Sequence, residues 1–255
     1  MGVWLTGDTH SDFTRFSKPK FPEQKDMTKD DIVIILGDFG GIWDWRGRSQ
    51  KEEWWLDWLN DKPFTTCFID GNHECFPRLY RYPEMEFCGG TVHRIKNSIF
   101  HLMRGNIFTF CDKKFFCMGG ARSHDIRDGI FDIHNYGSEK LAKDAVKRWY
   151  KEKKQFRING MDWWDDEIPT DDELAKGRIE LDKVDWQVDY VLTHCLPQQV
   201  ASYLGYRQGD YLTNYFDRLI DNGIKFTKWY CGHYHQEKSV WGKFILKYYN
   251  IERIL

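Results

Sequence analysis

Residues 32–38 read Ile32-Val33-Ile34-Ile35-Leu36-Gly37-Asp38: five apolar residues, then a glycine and a carboxylate. A β-branched run of that length, closed at once by turn residues, is the pattern of a strand buried on both faces. The pattern recurs on either side. Val3–Thr6 runs into Gly7-Asp8-Thr9-His10, and Thr65–Ile69 runs into Asp70-Gly71-Asn72-His73-Glu74. Strands that each end in a polar, glycine-containing turn predict an α/β domain. Its polar turns should collect at the carboxyl ends of one sheet, where open α/β folds build their sites.

Working outward, Ser49 with Glu52 forms a capping-box pattern ahead of Trp54, Trp55, Trp58 and Leu59, which predicts an amphipathic helix before the third strand. Residues 91–118 read as consecutive strands, near 92–95, 99–103, 107–111 and 115–118. Strands return at 188–193, 226–231 and 240–248, with a helix near 211–221. The stretch 138–156 differs. Leu141, Ala142, Ala145, Val146 and Trp149 fall at helical spacing, while Lys140, Lys143, Lys147 and Arg148 occupy the other face. An acidic segment follows at 162–173, so we expect one domain over 1–255 carrying a helical and loop insertion at about 126–180. Such a charge run reads first as a solvated face and second as a basic lid for a polyanionic substrate.

Composition removes several classes. The chain has 255 residues, of which 41% are apolar and 30% charged, which is neither a disordered nor a membrane composition. Lysine plus arginine number 37 against 39 acidic residues, a formal net charge of -2, so no global basic field exists to grip a nucleic-acid backbone. The 12 tryptophans predict a heavily packed core. Seven cysteines without a C-x-x-C pair argue against a disulfide scaffold and a zinc ribbon, and fit a reducing, cytoplasmic setting. No apolar run is long enough to span a bilayer, and no membrane partner is expected.

The polar turns share one chemistry. Asp8, His10, Asp38, Asn72, His194, His233 and His235 offer carboxylate, imidazole and amide oxygen, a hard-to-borderline donor set suited to Mn²⁺, Fe or Zn²⁺, with Ni²⁺ and Co²⁺ as further candidates. Asp8-Thr9-His10 and His233-Tyr234-His235 each put two donors on the same side of an extended chain. Glycine before Asp38, Asn72 and His233 lets the backbone turn sharply beneath a cation. These seven donors are too many for one ion and suit two ions about 3.5–4 Å apart with a shared carboxylate.

This ordered set resembles the calcineurin-like metallophosphoesterase superfamily, from Val3 to about Tyr249. The resemblance implies a four-layer αββα sandwich of two mixed sheets flanked by helices. It implies that Asp8, His10 and His235 bind one metal, that Asn72, His194 and His233 bind a second, and that Asp38 bridges them. His73 would be the histidine that faces substrate without binding metal. The chemistry implied is in-line attack on phosphorus by a metal-bridging hydroxide, with His73 assisting the leaving group.

The resemblance also has departures. The protein Ser/Thr phosphatases of the superfamily follow the second motif with Asp-Arg-Gly, whereas here Asp38 is followed by Phe39-Gly40-Gly41. An arginine for the phosphate must come from elsewhere. Arg46, Arg48, Arg78, Arg104 and Arg122 are candidates, with Arg104 and Arg122 preferred because each borders a glycine turn after a strand. Asp70 and Asp125 are both candidates to orient His73. The consecutive Ser123-His124-Asp125 cannot form a serine-hydrolase relay, but His124 and Asp125 suit a rim loop contacting substrate.

The expected activity is therefore hydrolysis of a phosphomonoester or phosphodiester on a small molecule or nucleotide. Two alternatives stand beside it. One is a nuclease or nucleic-acid-end phosphatase, motivated by the lysine-rich insert and the abundant aromatics. The other is a binding module that keeps the metals without turnover.

Overall fold

Side-chain alternation along the first strands sets the layering of the molecule, which a computed structural model describes over residues 1–255. In β1 (Val3–Thr6) and β2 (Ile32–Leu36), the side chains of Val3, Leu5, Ile32, Ile34 and Leu36 enter one core. Trp4, Val33 and Ile35 enter another on the opposite face. Successive strand residues point to opposite faces, so a sheet built from such runs must be covered on both.

After α1 (Gln50–Asn60), β3 (Thr65–Ile69) extends the parallel set, with Ile32 opposite Thr65. The short α2 (Phe76–Leu79) leads into β4 (Glu84–Phe87), β5 (Gly90–Lys96) and β6 (Ile99–Leu102), and β6 returns parallel to β3. A second sheet opens with the hairpin β7 (Asn106–Phe110) and β8 (Lys113–Met118). Next come the two-residue strands β9 (Ile130–Phe131) and β10 (Arg157–Ile158), which pair in parallel around α3 (Glu139–Lys151). Beyond them lie α4 (Asp171–Asp182), β11 (Tyr190–Thr193), α5 (Gln198–Tyr203), α6 (Tyr211–Asp221) and β12 (Lys228–Cys231). The chain ends in β13 (Lys238–Val240), β14 (Phe244–Leu246) and β15 (Glu252–Arg253).

The strand orders are β15-β1-β2-β3-β6-β5-β4 and β13-β14-β12-β11-β8-β7. Phe115, Cys117, Leu192 and Tyr230 of the second sheet pack with Leu5, Ile34 and Cys67 of the first, so the sheets lie face to face. Leu56 and Leu59 of α1 cover the outer face of the first sheet, and Leu174, Val200, Leu212 and Phe216 cover that of the second. The result is the four-layer αββα sandwich of the metallophosphoesterase fold.

Three local expectations are corrected. Residues 240–248 do not form one strand: Trp241 and Gly242 both take positive φ (50° and 66°), turning the chain between β13 and β14. Within the expected 126–180 insertion, α4 belongs to the body, because Leu174 and Leu181 enter the second sheet's core and Thr170 caps the helix reciprocally with Glu173. The remaining insert closes on a small core of its own, Phe131, Ala145 and Ile158 with Trp149 and Phe156 beside it. Leu141 was expected on the apolar face and is exposed. On the polar face of α3, Lys143 and Lys147 pair with Glu139 and Asp144 of the same helix. These lysines form a solvated face.

Candidate metal centre

The parallel strands carry their polar turns to one rim. Asp8 and His10 follow β1, Asp38 follows β2, Asn72 and His73 follow β3, His194 follows β11, and His233 and His235 follow β12. Three overlapping groups have donor atoms mutually within 4.8 Å: Asp8 with His10 and His235, Asp8 with Asp38 and His194, and Asp38 with His10 and His73. The first is the trio that the resemblance implied. His233 lies outside these groups, its ring 5.0 Å from that of His194.

Backbone geometry explains why glycines flank the donors. A side chain at Gly37 would collide with the His194 ring, one at Gly71 with Asp38 Oδ1, and one at Gly232 with Asp8 Oδ1. Four donors take positive φ themselves: His10 (43°), Asp38 (47°), His233 (66°) and His235 (48°). Each such non-glycine residue costs about 1–3 kcal/mol, and concentrated strain of this kind marks a functional site. Buried Glu74 holds the turn after Asp38 by accepting the Phe39 N–H at 2.7 Å and the Gly40 N–H at 3.4 Å. Buried Arg15 donates to the Asp8 carbonyl at 2.6 Å and to the Gly7 carbonyl at 3.2 Å, fixing the turn after β1.

The donors are oriented and left open. His194 Nδ1 donates to the Leu36 carbonyl at 2.7 Å, which leaves its Nε2 as the free ring nitrogen, 3.3 Å from Asp38 Oδ1. Asn72 Nδ2 donates to Ser123 Oγ at 3.3 Å, leaving Oδ1 as the free amide oxygen. Asp8 Oδ1 accepts the His233 N–H at 2.9 Å, and Asp38 Oδ1 accepts the His73 N–H at 2.8 Å. His10 Nε2 and His235 Nε2 face each other at 3.0 Å. Asp8 Oδ2, Asn72 Oδ1 and His194 Nε2 are buried without an aligned hydrogen-bond partner. Such atoms are expensive to bury alone; Asp8 Oδ2 and Asn72 Oδ1 offer lone pairs as they stand, and His194 Nε2 offers one once a cation displaces the proton that Asp38 and Asp8 favour. They fit divalent cations by donor type and by placement.

Electrostatics agree. Burial pushes the Asp38 carboxyl up, but the imidazoles of His194, His73 and His10 pull it well below the usual carboxylate range. Burial opposes a charge on His194, yet Asp38 and Asp8 outweigh it and hold His194 up at about 10. His233 is lowered to about 3 by burial and by His194.

Of the expected substrate contacts, Arg104 is corrected. It is buried, donating to Asp70 Oδ2 from Nε at 2.9 Å and from Nη2 at 2.6 Å, and to Glu173 at 3.1 Å. A guanidinium this buried, held by Asp70, Glu173 and the Asp166 carbonyl, serves the fold and not a phosphate. Asp70 is thereby excluded from orienting His73, since His101 Nε2 occupies its other oxygen at 3.0 Å. Asp125 acts at one remove: it binds Arg157 through both oxygens, and Arg157 Nη2 reaches His73 Nε2 at 3.5 Å. His124 lies with its ring 5.7 Å from that of His233. Arg46, Arg48 and Arg78 are paired with Asp44, Glu53 and Glu52.

Sequence reasoning missed Arg157, Ser123 as a support for Asn72, and Glu167, which accepts from Ser123 N–H at 3.0 Å and from Ser123 Oγ at 2.6 Å. No motif carries Arg157 or Glu167. Both lie in the insert region, brought to the rim only by tertiary packing. Two clefts flank the donors. One, of about 530 Å³, includes Arg122, His124 and His233 in its wall; the other, of about 440 Å³, includes Ser11, Trp43, Trp45 and Trp55.

An αββα sandwich with carboxylate, imidazole and amide donors gathered at one rim defines a metal-dependent hydrolase of the metallophosphoesterase class. The sequence model of the calcineurin-like phosphoesterases matches residues 1–237, and the chain belongs to that family. Its chemistry is accordingly metal-dependent phosphoester hydrolysis. No curated protein matches the chain in sequence. No helix is long and apolar enough to cross a membrane.

Proposed function

We propose that the protein is a two-metal phosphatase or phosphodiesterase acting on a phosphorylated small molecule or nucleotide. The observation that carries this reading is a set of buried atoms without an aligned hydrogen-bond partner, Asp8 Oδ2 (His235 Nε2 stands 3.1 Å away), Asn72 Oδ1 and His194 Nε2. In this reading Asp8, His10 and His235 hold one cation, Asn72, His194 and His233 the other, and Asp38 serves both, with Mn²⁺ the ion of choice in vitro. When bound, the pair supplies an activated water and neutralises phosphoryl oxygens.

The chain's own residues do the rest. His73 is lowered to about 4, chiefly by burial and against the pull of Asp38, so its imidazole is neutral at pH 7. A guanidinium can only donate, so Arg157 beside Nε2 places the His73 proton on Nδ1, from which the neutral imidazole can donate a hydrogen bond to the leaving oxygen without giving the proton up. Arg157, held by Asp125 beside His73, takes the phosphate-gripping role; of the five motif arginines only Arg122 is unpaired, and it lines the cleft by His233 instead. The seven unpaired thiols suit the proposed cytoplasmic setting.

The test is hydrolysis of p-nitrophenyl phosphate beside bis-p-nitrophenyl phosphate by Mn²⁺-loaded protein, with metal content measured in parallel. Preference for the monoester supports a phosphatase, and preference for the diester a phosphodiesterase. Two bound metals with no turnover of either leaves a binding module and sinks the proposal. His73→Ala should cut turnover while metal content stays at two per chain; loss of metal there would make His73 a ligand.

A further inference from the structure

We propose that the 530 Å³ cleft beside His233 is an anion subsite that takes a second phosphate on the same substrate molecule, so that preferred substrates carry two or more phosphates. The inference rests on the hydrolytic reading above and adds the substrate class. Three arginines from two separate segments line this cleft: Arg122 and Arg127 from the loop after β8, and Arg207 from the loop between α5 and α6. The arginines that form ion pairs in this protein are Arg46, Arg48, Arg78, Arg104 and Arg157; none of the three cleft arginines is among them.

The acids nearby are already engaged. Asp210, the one carboxylate in the wall, caps α6 by accepting the Thr213 N–H at 2.8 Å. Glu167, close enough to feel the charge of Arg122, is held by Ser123 through both oxygens. A local positive excess in a chain of net charge -2 is therefore left facing a cleft. Like charges gathered at a concave wall focus the field on an incoming anion. The cleft is continuous with the rim, because His233 belongs both to its wall and to the donor set. A molecule with one phosphate at the donors can therefore extend a second anionic group along this wall. Its volume is in the range of small-molecule sites.

The experiment compares adenosine 3′,5′-bisphosphate with adenosine 5′-monophosphate on Mn²⁺-loaded protein, wild type and Arg127→Ala/Arg207→Ala. In the wild type, kcat/KM for the bisphosphate should exceed that for the monophosphate about tenfold, the worth of one added charge-assisted contact. The double variant should bring the ratio to about one, and Arg127→Glu/Arg207→Glu should push it below one. Equal wild-type values, or an advantage that survives both double variants, overturn the subsite while phosphoester hydrolysis stands. If neither nucleotide is turned over, calorimetric titration decides independently of the hydrolytic reading. Tighter bisphosphate binding that the double variant loses upholds the subsite, and equal affinities overturn it.

Discussion

Asp38 and Asp70 are buried carboxylates at the ends of neighbouring parallel strands, and the protein treats them in opposite ways. Asp70 is closed: Arg104 takes one oxygen with two donors, His101 takes the other, and neither oxygen is left without a partner. Around Asp38 only imidazoles and backbone N–H groups are supplied, and buried donors on Asp8, Asn72 and His194 stay unmatched. Where the carboxylate is structural, the chain provides its own permanent cation. At Asp38, in the proposed metal-centre reading, the chain provides geometry and the charge would come with the cation. A polar group buried without compensation is too costly to be an accident repeated three times in one place.

Breaking the open side should have the largest effect. Asp38→Asn is expected to lower Mn²⁺-dependent phosphoester hydrolysis by at least about 10³-fold, because in the proposed two-metal reading it removes the carboxylate that serves both cations. It should also abolish the rise in melting temperature that Mn²⁺ gives the wild type, since a ligand that binds only the folded state stabilises it. A rate within threefold of wild type would sink the site. Breaking the closed side should instead cost stability. Arg104→Ala leaves Asp70 buried without its guanidinium and should destabilise by about 3–5 kcal/mol in urea unfolding. If Arg104 gripped phosphate, the loss would appear in KM with stability intact, which is the outcome that would reverse its assignment.

The two carboxylates also show what a sequence can and cannot carry. Asp38 was legible because its neighbours are local: a five-residue apolar strand, a glycine, and a donor type repeated after other strands. The layering was legible for the same reason, since alternate burial in β1 and β2 needs only a period of two. Asp70 sits in an equally visible motif, yet its role depends on Arg104 and His101, which sit on and just after β6. Nothing near Arg104 in the chain distinguishes a buried partner from a phosphate grip. Arg157 was harder still, because the parallel pairing of β9 with β10 that carries it to His73 joins residues at either end of the insert. The turn at Trp241-Gly242 was missed because a tryptophan at positive φ runs against its own propensity.

A smaller effect would sharpen the contrast from the open side. Asn72 presents its free oxygen because Ser123 receives its amide, and Ser123 is itself fixed by Glu167. Ser123→Ala should therefore weaken Mn²⁺ binding about 10–100-fold, the range for losing a residue that orients a ligand. Calorimetry should show this at one of two binding steps, with the other unchanged. Uniform weakening of both steps would mean a general loosening of the rim and not the release of one ligand.

The smallest effect tests the outer end of the closed side. His93 Nδ1 lies 2.9 Å from His101 Nδ1, which extends the chain of contacts Arg104–Asp70–His101 by one group. Glu84 stands 4.0 Å from His93 Nε2 and the Tyr80 ring packs 5.8 Å away, but no arginine or lysine reaches it. Burial first, and then the neighbouring His101, lower His93 to about 4. An unfolded histidine protonates near 6.5, so between about pH 6.5 and 4 the unfolded chain binds a proton that the folded protein refuses. Stability must then fall as pH drops through that window, by an amount on the order of 1–2 kcal/mol for this one group. His93→Gln keeps a hydrogen-bonding partner for His101 and removes the titration. Unfolding free energies measured at pH 6.5 and pH 4 should therefore converge: the variant should lose less than the wild type over the interval. Parallel losses would show that His93 keeps its proton in the fold, and that the closed network is open to water at this end.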